Sequence, residues 1–379
     1  MKSPFILNAG IPDSKYMLPL GADELSYELP LRRILADHLH VDASQTVEND
    51  LRSVGSSLKE LVGSDHPVLH ATARHFFDVA GKRVRPTLVL LVSKALSAGL
   101  KDESPSAPAS SAAPAVADIL LPTQRRLSEI TEMIHTASLL HDDVIDESDT
   151  RRGLPSVNAL YGNKIAILGG DFLLARASVA LAHLRHPDVI ILMSTVIEHL
   201  VKGEVMQMKA ASTTGLKETI DYYLTKSFYK TASLIANSCK SVALLGGHGA
   251  EMQQIAYDYG THLGLAFQIV DDLLDLEASA AALGKPAGND LVCGVATAPV
   301  LYAAEEFPHL KPLIAGKFKG PNDVQTAIEC IFRGHAMQRS RELAWRHAQQ
   351  AAAALTMLKP SRSQSALFSL INQVLSRKK

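Results

Sequence analysis

The chain has 379 residues, of which 47% are hydrophobic and 20% charged, with a formal net charge of −1. That length supports a large buried core in one or two domains, and the near-neutral charge disfavours a general binder of nucleic acid or anionic membrane. Cys239, Cys293 and Cys330 are scattered and lack CxxC spacing, which argues against a disulfide framework or a zinc site and for a reducing compartment.

Residues 1–45 carry little pattern and are expected to form a peripheral N-terminal segment, with residues 46–379 as one domain. The first 40 residues mix Lys2, Lys15, Arg32 and Arg33 with Asp13, Asp23, Glu24, Glu28 and Asp37. That is unlike an Arg-rich, acid-poor mitochondrial presequence. Gly81-Lys82-Arg83-Val84-Arg85-Pro86 is a compact basic turn after an apolar segment. Residues 97–118 are rich in Ser, Ala and Pro and predict a flexible loop between two helices.

Ile130, Met133, Ile134, Ala137 and Leu140 then mark one apolar face of a helix, with His135 on it. That helix runs into the acidic cluster Asp142, Asp143 and Asp146, followed by Arg151 and Arg152. No run of 18 uncharged apolar residues occurs. Residues 165–184 come nearest, but Asp171 and Arg176 interrupt them and predict a buried helix. Met206 and Met208 read as packing residues. Lys226 and Lys230 form a further cationic pair, with Thr231 beside it. A long apolar pattern over residues 245–276 carries the second cluster, Asp271, Asp272 and Asp275, with Gln268 just before it and Lys285 just after. Nearly every segment has helical periodicity, so the expected fold is all-α.

Both acidic clusters read Asp-Asp-x-x-Asp. On a helix the first and last carboxylates lie one turn apart, where like charges repel without a cation. Such carboxylate pairs suit Mg2+, which binds one or two carboxylates together with substrate phosphate and water. Two such clusters amid apolar residues suggest two walls around one polyanion. The nearby Lys and Arg side chains suit phosphate. A solvated acidic helix face is the plainer alternative, and the apolar neighbours Leu139, Leu140, Ile269, Val270, Leu273 and Leu274 disfavour it.

Together, GKRVRP, HTASLLHDDVIDESDTRRG, GGDFLLARA, EVMQM, YKTASLIANSC, FQIVDDLLDL and GKPAGNDLVCGVATAPVLYA resemble the trans-isoprenyl diphosphate synthases. The likeness runs from about Gly81 to about Tyr302, and DESDTRRG, KTASLIANSCK and ATAPVL resemble the long-chain solanesyl and decaprenyl members in particular. The resemblance implies a large single-domain helical bundle of the isoprenoid synthase (class I terpenoid synthase) type. It implies repeated condensation of isopentenyl diphosphate onto an allylic diphosphate, farnesyl or geranylgeranyl, with three Mg2+ ions. By motif, Asp142, Asp146 and Asp271 match metal ligands, supported by Asp143, Asp272 and Asp275. Lys82, Arg85, His135 and Arg152 match the isopentenyl diphosphate site. Arg151, Lys230, Thr231, Gln268 and Lys285 match allylic-site contacts, with Lys230 and Thr231 also shielding a carbocation. A homodimer is implied, and a heteromer is the alternative. A ubiquinone side-chain role implies mitochondria in a eukaryote and cytoplasm otherwise.

Product length can be read below Asp142. One helical turn rises about 5.4 Å, comparable to one extended isoprene unit. Short-chain members of the family carry a bulky aromatic floor one turn down, where this chain has Ala137 and Ser138. A tunnel past Ile134, Met133 and Ile130 would then take a product of about C40–C50. The competing readings are a class I terpene cyclase, which needs neither the second acidic cluster nor the GKRVRP site, and a non-catalytic subunit or isoprenoid-binding protein, which would tolerate loss of its metal ligands.

Overall fold

A computed structural model of the chain describes residues 24–78, 83–99, 119–151, 153–210, 219–281 and 288–377. The helices are α1 Glu24–Ala36, α2 Ala43–Thr46, α3 Glu48–Leu61, α4 Pro67–Asp78, α5 Val84–Ser97 and α6 Pro122–Ile145. A two-residue hairpin follows, β1 Thr150–Arg151 and β2 Leu154–Pro155, and it provides the only strands among the described residues. Next come α7 Val157–Tyr161, α8 Asn163–His183, α9 Pro187–Ala210 and α10 Ile220–Ser227. A π-helical turn, Phe228–Ala232, leads into α11 Ser233–Leu245. Then follow α12 Ala250–Ala281, α13 Asn289–Val292, α14 Ala298–Glu306, α15 Leu310–Ala315, α16 Asp323–Arg333, α17 Ala336–Thr356 and α18 Arg362–Leu375. The expected all-α class is what the chain adopts.

Three long helices organise the core. α6 starts with Pro122 at its first turn, and Gln124 accepts from the Leu121 amide at 3.0 Å. Proline suits that position because its missing N–H would have no intrahelical partner. The Gln124 amide also donates to Val242 O of α11 at 3.2 Å, which ties the start of α6 to the end of α11. α12 packs against α11 with almost no space between backbones. A Cβ at Gly260 would lie 2.7 Å from Ala236 Cα, and one at Gly264 would lie 2.6 Å from Ala232 Cα. These glycines set the depth at which the π turn sits beside α12. On its other side α12 meets a small-residue face of α17, where Ala344, Ala348, Ala351 and Ala352 are buried.

Within the N-terminal segment Leu31, Leu35 and Ala43 are almost fully buried, and α1 and α2 pack on α17 and α18. Their weak periodicity hid a few anchoring side chains. α8 is buried on one face only. Ala166, Gly169, Leu173 and Ala177 are buried where the helix packs on α6 and α4, while Leu168 and Val179 are each 55% exposed. α8 is also the one helix among the described residues long and apolar enough to cross a membrane. Ser97 ends α5, and residues 100–118 of the expected loop lie outside the described residues.

Candidate active site

The first acidic cluster stands at the end of α6. Asp146 caps the helix, Glu147 turns left-handed at φ 52, and the Ser148 amide donates back to Asp143 O at 2.9 Å. This six-to-one bond is the Schellman closure, with a glutamate in the place that usually holds glycine. The sequence placed Asp142 and Asp146 on one helical face. In the structure Asp146 is the last residue to touch the helix, its amide donating to Asp142 O at 2.8 Å. The cluster therefore meets the negative end of the helix dipole, which adds to the repulsion and strengthens the case for a cation there.

The hairpin folds back on this end. It turns through Gly153 at φ 78, a backbone angle that glycine takes without strain. Arg151 thereby returns to Asp143, its Nε and Nη2 lying 2.8 and 2.5 Å from Oδ1. Asp143 is 1% exposed, so it serves as the buried anchor of Arg151. Asn158 Nδ2 donates to Asp143 O at 3.2 Å and to Ser148 O at 3.0 Å, and Ser156 Oγ donates to Ser148 O at 2.7 Å. Arg151, expected to meet an allylic diphosphate, is thus positioned beside the first cluster by Asp143.

Asp142 has its pKa pushed up to about 7, chiefly by burial and next by Glu204, with Lys230 opposing. Lys230 Nζ lies 2.6 Å from Glu204 Oε1 and 3.0 Å from Gln207 Oε1. Glu204 and Gln207 stand three residues apart on α9, on one face. They were missed because the two methionines of EVMQM drew the packing reading, although their i,i+3 spacing was visible. Gly203 makes room for this contact, since a Cβ there would lie 2.6 Å from Lys230 Cγ.

The second cluster sits inside α12, and its three carboxylates differ. Asp272 is buried, accepting from Tyr223 Oη at 2.6 Å and Gln268 Nε2 at 2.8 Å, and burial raises its pKa to about 7. Gln268 Oε1 in turn accepts from Thr231 Oγ1 at 2.6 Å. The π turn, α12 and α10 are thus joined through Thr231, Gln268, Asp272 and Tyr223. Asp275 accepts from the Asp290 amide at 3.1 Å. Asp271 faces Arg377, whose Nη1 lies 3.3 Å from Oδ1 and whose guanidinium also lies over the Phe267 ring. Burial raises the Asp271 pKa while Arg377 opposes the rise.

Asp290 was not singled out from the sequence. Burial and Asp275 raise its pKa to about 6, while Lys226 and Lys230 pull it down. Lys230 is therefore close enough to act electrostatically on both Asp142 and Asp290. Cys293 spans the same gap, its thiol pKa raised by burial and then by Asp146 of the first cluster and Asp290 and Asp275 of the second. Cys293 is thus within electrostatic reach of both clusters.

His135 Nε2 and Arg85 Nη1 are 2.7 Å apart, which joins α6 to the first turn of α5. Lys82, Arg152 and Lys285 lie outside the described residues. Below Asp142, Ala137, Ile134, Met133 and Ile130 are fully buried, and half-buried Ser138 donates to His135 O at 2.9 Å.

These residues suit a hard divalent cation. The donors are carboxylate oxygens, and Asp142, Asp271 and Asp290 are all held above the usual carboxylate range by burial. Among the described residues no three acidic, His or Cys side chains converge on one point.

Comparison with known proteins agrees with this geometry. The family model described as "Polyprenyl synthetase" matches residues 66–331. A probable mitochondrial hexaprenyl pyrophosphate synthase of Neurospora crassa is 44% identical, over 89% of this chain and 82% of its own length. Mitochondrial solanesyl-diphosphate synthase 1 of Oryza sativa is 43% identical, over 89% of this chain and 79% of its own. A polyprenyl synthase of Caulobacter crescentus, solved with calcium and isoprenyl diphosphate, superposes with a TM-score of 0.75 at 29% identity, covering 89% of this chain and 97% of its own. With the fold, the paired acidic walls and these matches in agreement, the chain belongs to the polyprenyl synthetase family.

Proposed function

We propose that this protein is a long-chain trans-polyprenyl diphosphate synthase that adds isopentenyl diphosphate repeatedly to a farnesyl or geranylgeranyl primer. The observation that carries the reading is that Lys230, paired with Glu204 of α9, acts electrostatically on both Asp142 of α6 and Asp290 beyond α12, while Ala137, Ile134 and Met133 lie buried below Asp142. Asp142, Asp146 and Asp271 are the residues that would hold Mg2+, three ions by family analogy. When bound, the metal neutralises diphosphate charge and makes it a better leaving group.

The chain's own residues do the rest. Lys230, held by Glu204 and Gln207, and Arg151, held by Asp143, present fixed positive charge to the allylic diphosphate, with Lys285 assigned to the same group. Fixed charges of this kind need no reorganisation as the leaving group departs. Thr231 and Gln268 are assigned to the ionising allylic carbon, and their hydrogen bond to each other fixes the orientation of both side chains. Arg85 and His135, with Lys82 and Arg152, hold isopentenyl diphosphate so that its double bond attacks that carbon. The proton lost afterwards is assigned to the departing diphosphate.

The small wall below Asp142 supports a product of about C40–C50, one isoprene unit per turn of about 5.4 Å. Solanesyl diphosphate is favoured within this range. The names of the two relatives also support the ubiquinone side chain as the product's use and mitochondria as the location. A homodimer would cover the exposed stripe of α8 formed by Leu168, Ala175, Val179 and Ala182, whose successive steps of seven, four and three residues keep it on one face. The test is incubation with labelled isopentenyl diphosphate, each primer and Mg2+, followed by chain-length analysis. A ladder ending near C45 supports the reading. Turnover without isopentenyl diphosphate supports a terpene cyclase instead, and no turnover of either substrate supports a binding subunit.

A further inference from the structure

Arg83 holds a backbone conformation that an arginine seldom takes. It is the N-cap of α5, at φ 43 and ψ 41, in the left-handed region. Such positions persist where the surroundings over-determine them, and they cluster at functional sites. Two supports hold this one. Arg83 O accepts from the Thr87 amide at 3.1 Å and from Thr87 Oγ1 at 2.9 Å. The side chain turns to α3, where the guanidinium lies over Gly55. A Cβ at Gly55 would lie 3.0 Å from Arg83 Cζ and 3.2 Å from Nη2.

Gly55 is buried in the interior of α3, a place where glycine weakens a helix relative to alanine. Its lack of a side chain makes the seat. α3 is itself held firmly, because Asp50 pairs with Lys94 of α5 at 2.9 Å and with Arg125 of α6 at 3.1 Å. The basic turn thus divides its cations between two helices. Arg83 goes to α3, while Arg85, two residues on, meets His135 of α6 at 2.7 Å.

We infer that Arg83 is a positioning residue for the isopentenyl diphosphate subsite. Its guanidinium does not bind the substrate. Seated on Gly55, it locks the left-handed turn that delivers Arg85 to His135. The inference rests on the reading that Arg85 and His135 receive isopentenyl diphosphate.

The test compares Gly55→Ala, Arg83→Gly and the double variant in the full chain. Gly55→Ala fills the seat and displaces only the flexible end of Arg83. Arg83→Gly keeps the backbone turn and removes the anchor. Each single variant should raise KM for isopentenyl diphosphate by about ten- to a hundredfold, while KM for the allylic diphosphate and Tm stay near wild type. Calorimetric titration with isopentenyl diphosphate alone should show the same weakening. The double variant should be no worse than the poorer single, because both changes break one contact. A parallel change in both KM values, or a double variant whose effects add in full, overturns the inference. Failure of the underlying reading looks different: Arg85→Ala would then bind isopentenyl diphosphate as tightly as wild type.

Discussion

Lys230 Nζ lies 2.6 Å from Glu204 Oε1, so the cation proposed to face substrate is already held by a carboxylate on a neighbouring helix. That carboxylate also acts on Asp142 and helps to raise its pKa to about 7. Lys230 is thus the screen between two acids. Lys230→Met should remove a cation from the allylic site and leave Glu204 facing Asp142 unscreened. We expect kcat/KM to fall by about 10²–10³. Half-saturation by Mg2+ should rise as well, measured by titrating the metal at fixed pH. An unchanged metal requirement would separate Lys230 from Asp142.

Gly264 sets the distance between α12 and the π turn. Its missing Cβ leaves room for Ala232 Cα, which a methyl would approach to 2.6 Å. The obstruction is backbone and cannot swing aside. Gly264→Ala should cost about 1–3 kcal/mol of stability by overpacking. It should also lower kcat by stretching the 2.6 Å bond between Thr231 and Gln268. Thermal unfolding and steady-state kinetics check both. Full activity would show that this spacing is not critical.

Ala137 is fully buried one turn below Asp142. Ala137→Phe should shorten the product by placing a ring across the path of the growing chain. Thin-layer or reversed-phase analysis of the dephosphorylated product reads the change. A product of wild-type length would sink the assignment of this wall to the tunnel.

His262 of α12 and His347 of α17 meet with their Nδ1 atoms 2.9 Å apart. Burial lowers their pKa values to about 4 and about 3, with the mutual repulsion of the pair adding to His347. Both are neutral when folded, whereas the unfolded chain takes up protons as the pH falls below the ordinary value of 6.5. Stability is therefore complete above that value and declines as pH falls toward 4. The loss at pH 5 is on the order of 2 kcal/mol per histidine. His347→Gln should flatten the dependence of Tm on pH across this window. An equally steep dependence would assign the acid sensitivity to other groups.

The exposed stripe of α8 gives a fifth site to probe. Leu168→Glu with Val179→Glu should shift sedimentation toward monomer, since burying two carboxylates in an apolar interface is unfavourable. A dimer that survives this change uses another face.

The sequence by itself determined the class of the fold and marked the two acidic clusters as candidate walls of a site. Helical periodicity is a local property, and Asp-Asp-x-x-Asp in apolar surroundings is costly enough without a cation to be read from spacing alone. It also marked the basic turn and the small residues Ala137 and Ser138. Only the tertiary structure decided what each carboxylate does. Asp143 and Asp272 occupy equivalent places in the two motifs, yet Asp143 holds an arginine folded back by a hairpin, and Asp272 accepts from a tyrosine and a glutamine. Glu204, Gln207, Asp290 and Arg377 joined the site from distant parts of the chain. Their partners are set by how closely α9, α11 and α12 approach, and Gly203, Gly260 and Gly264 fix that approach. A spacing rule reaches one or two turns along a helix, whereas desolvation and charge pairing depend on which helices meet.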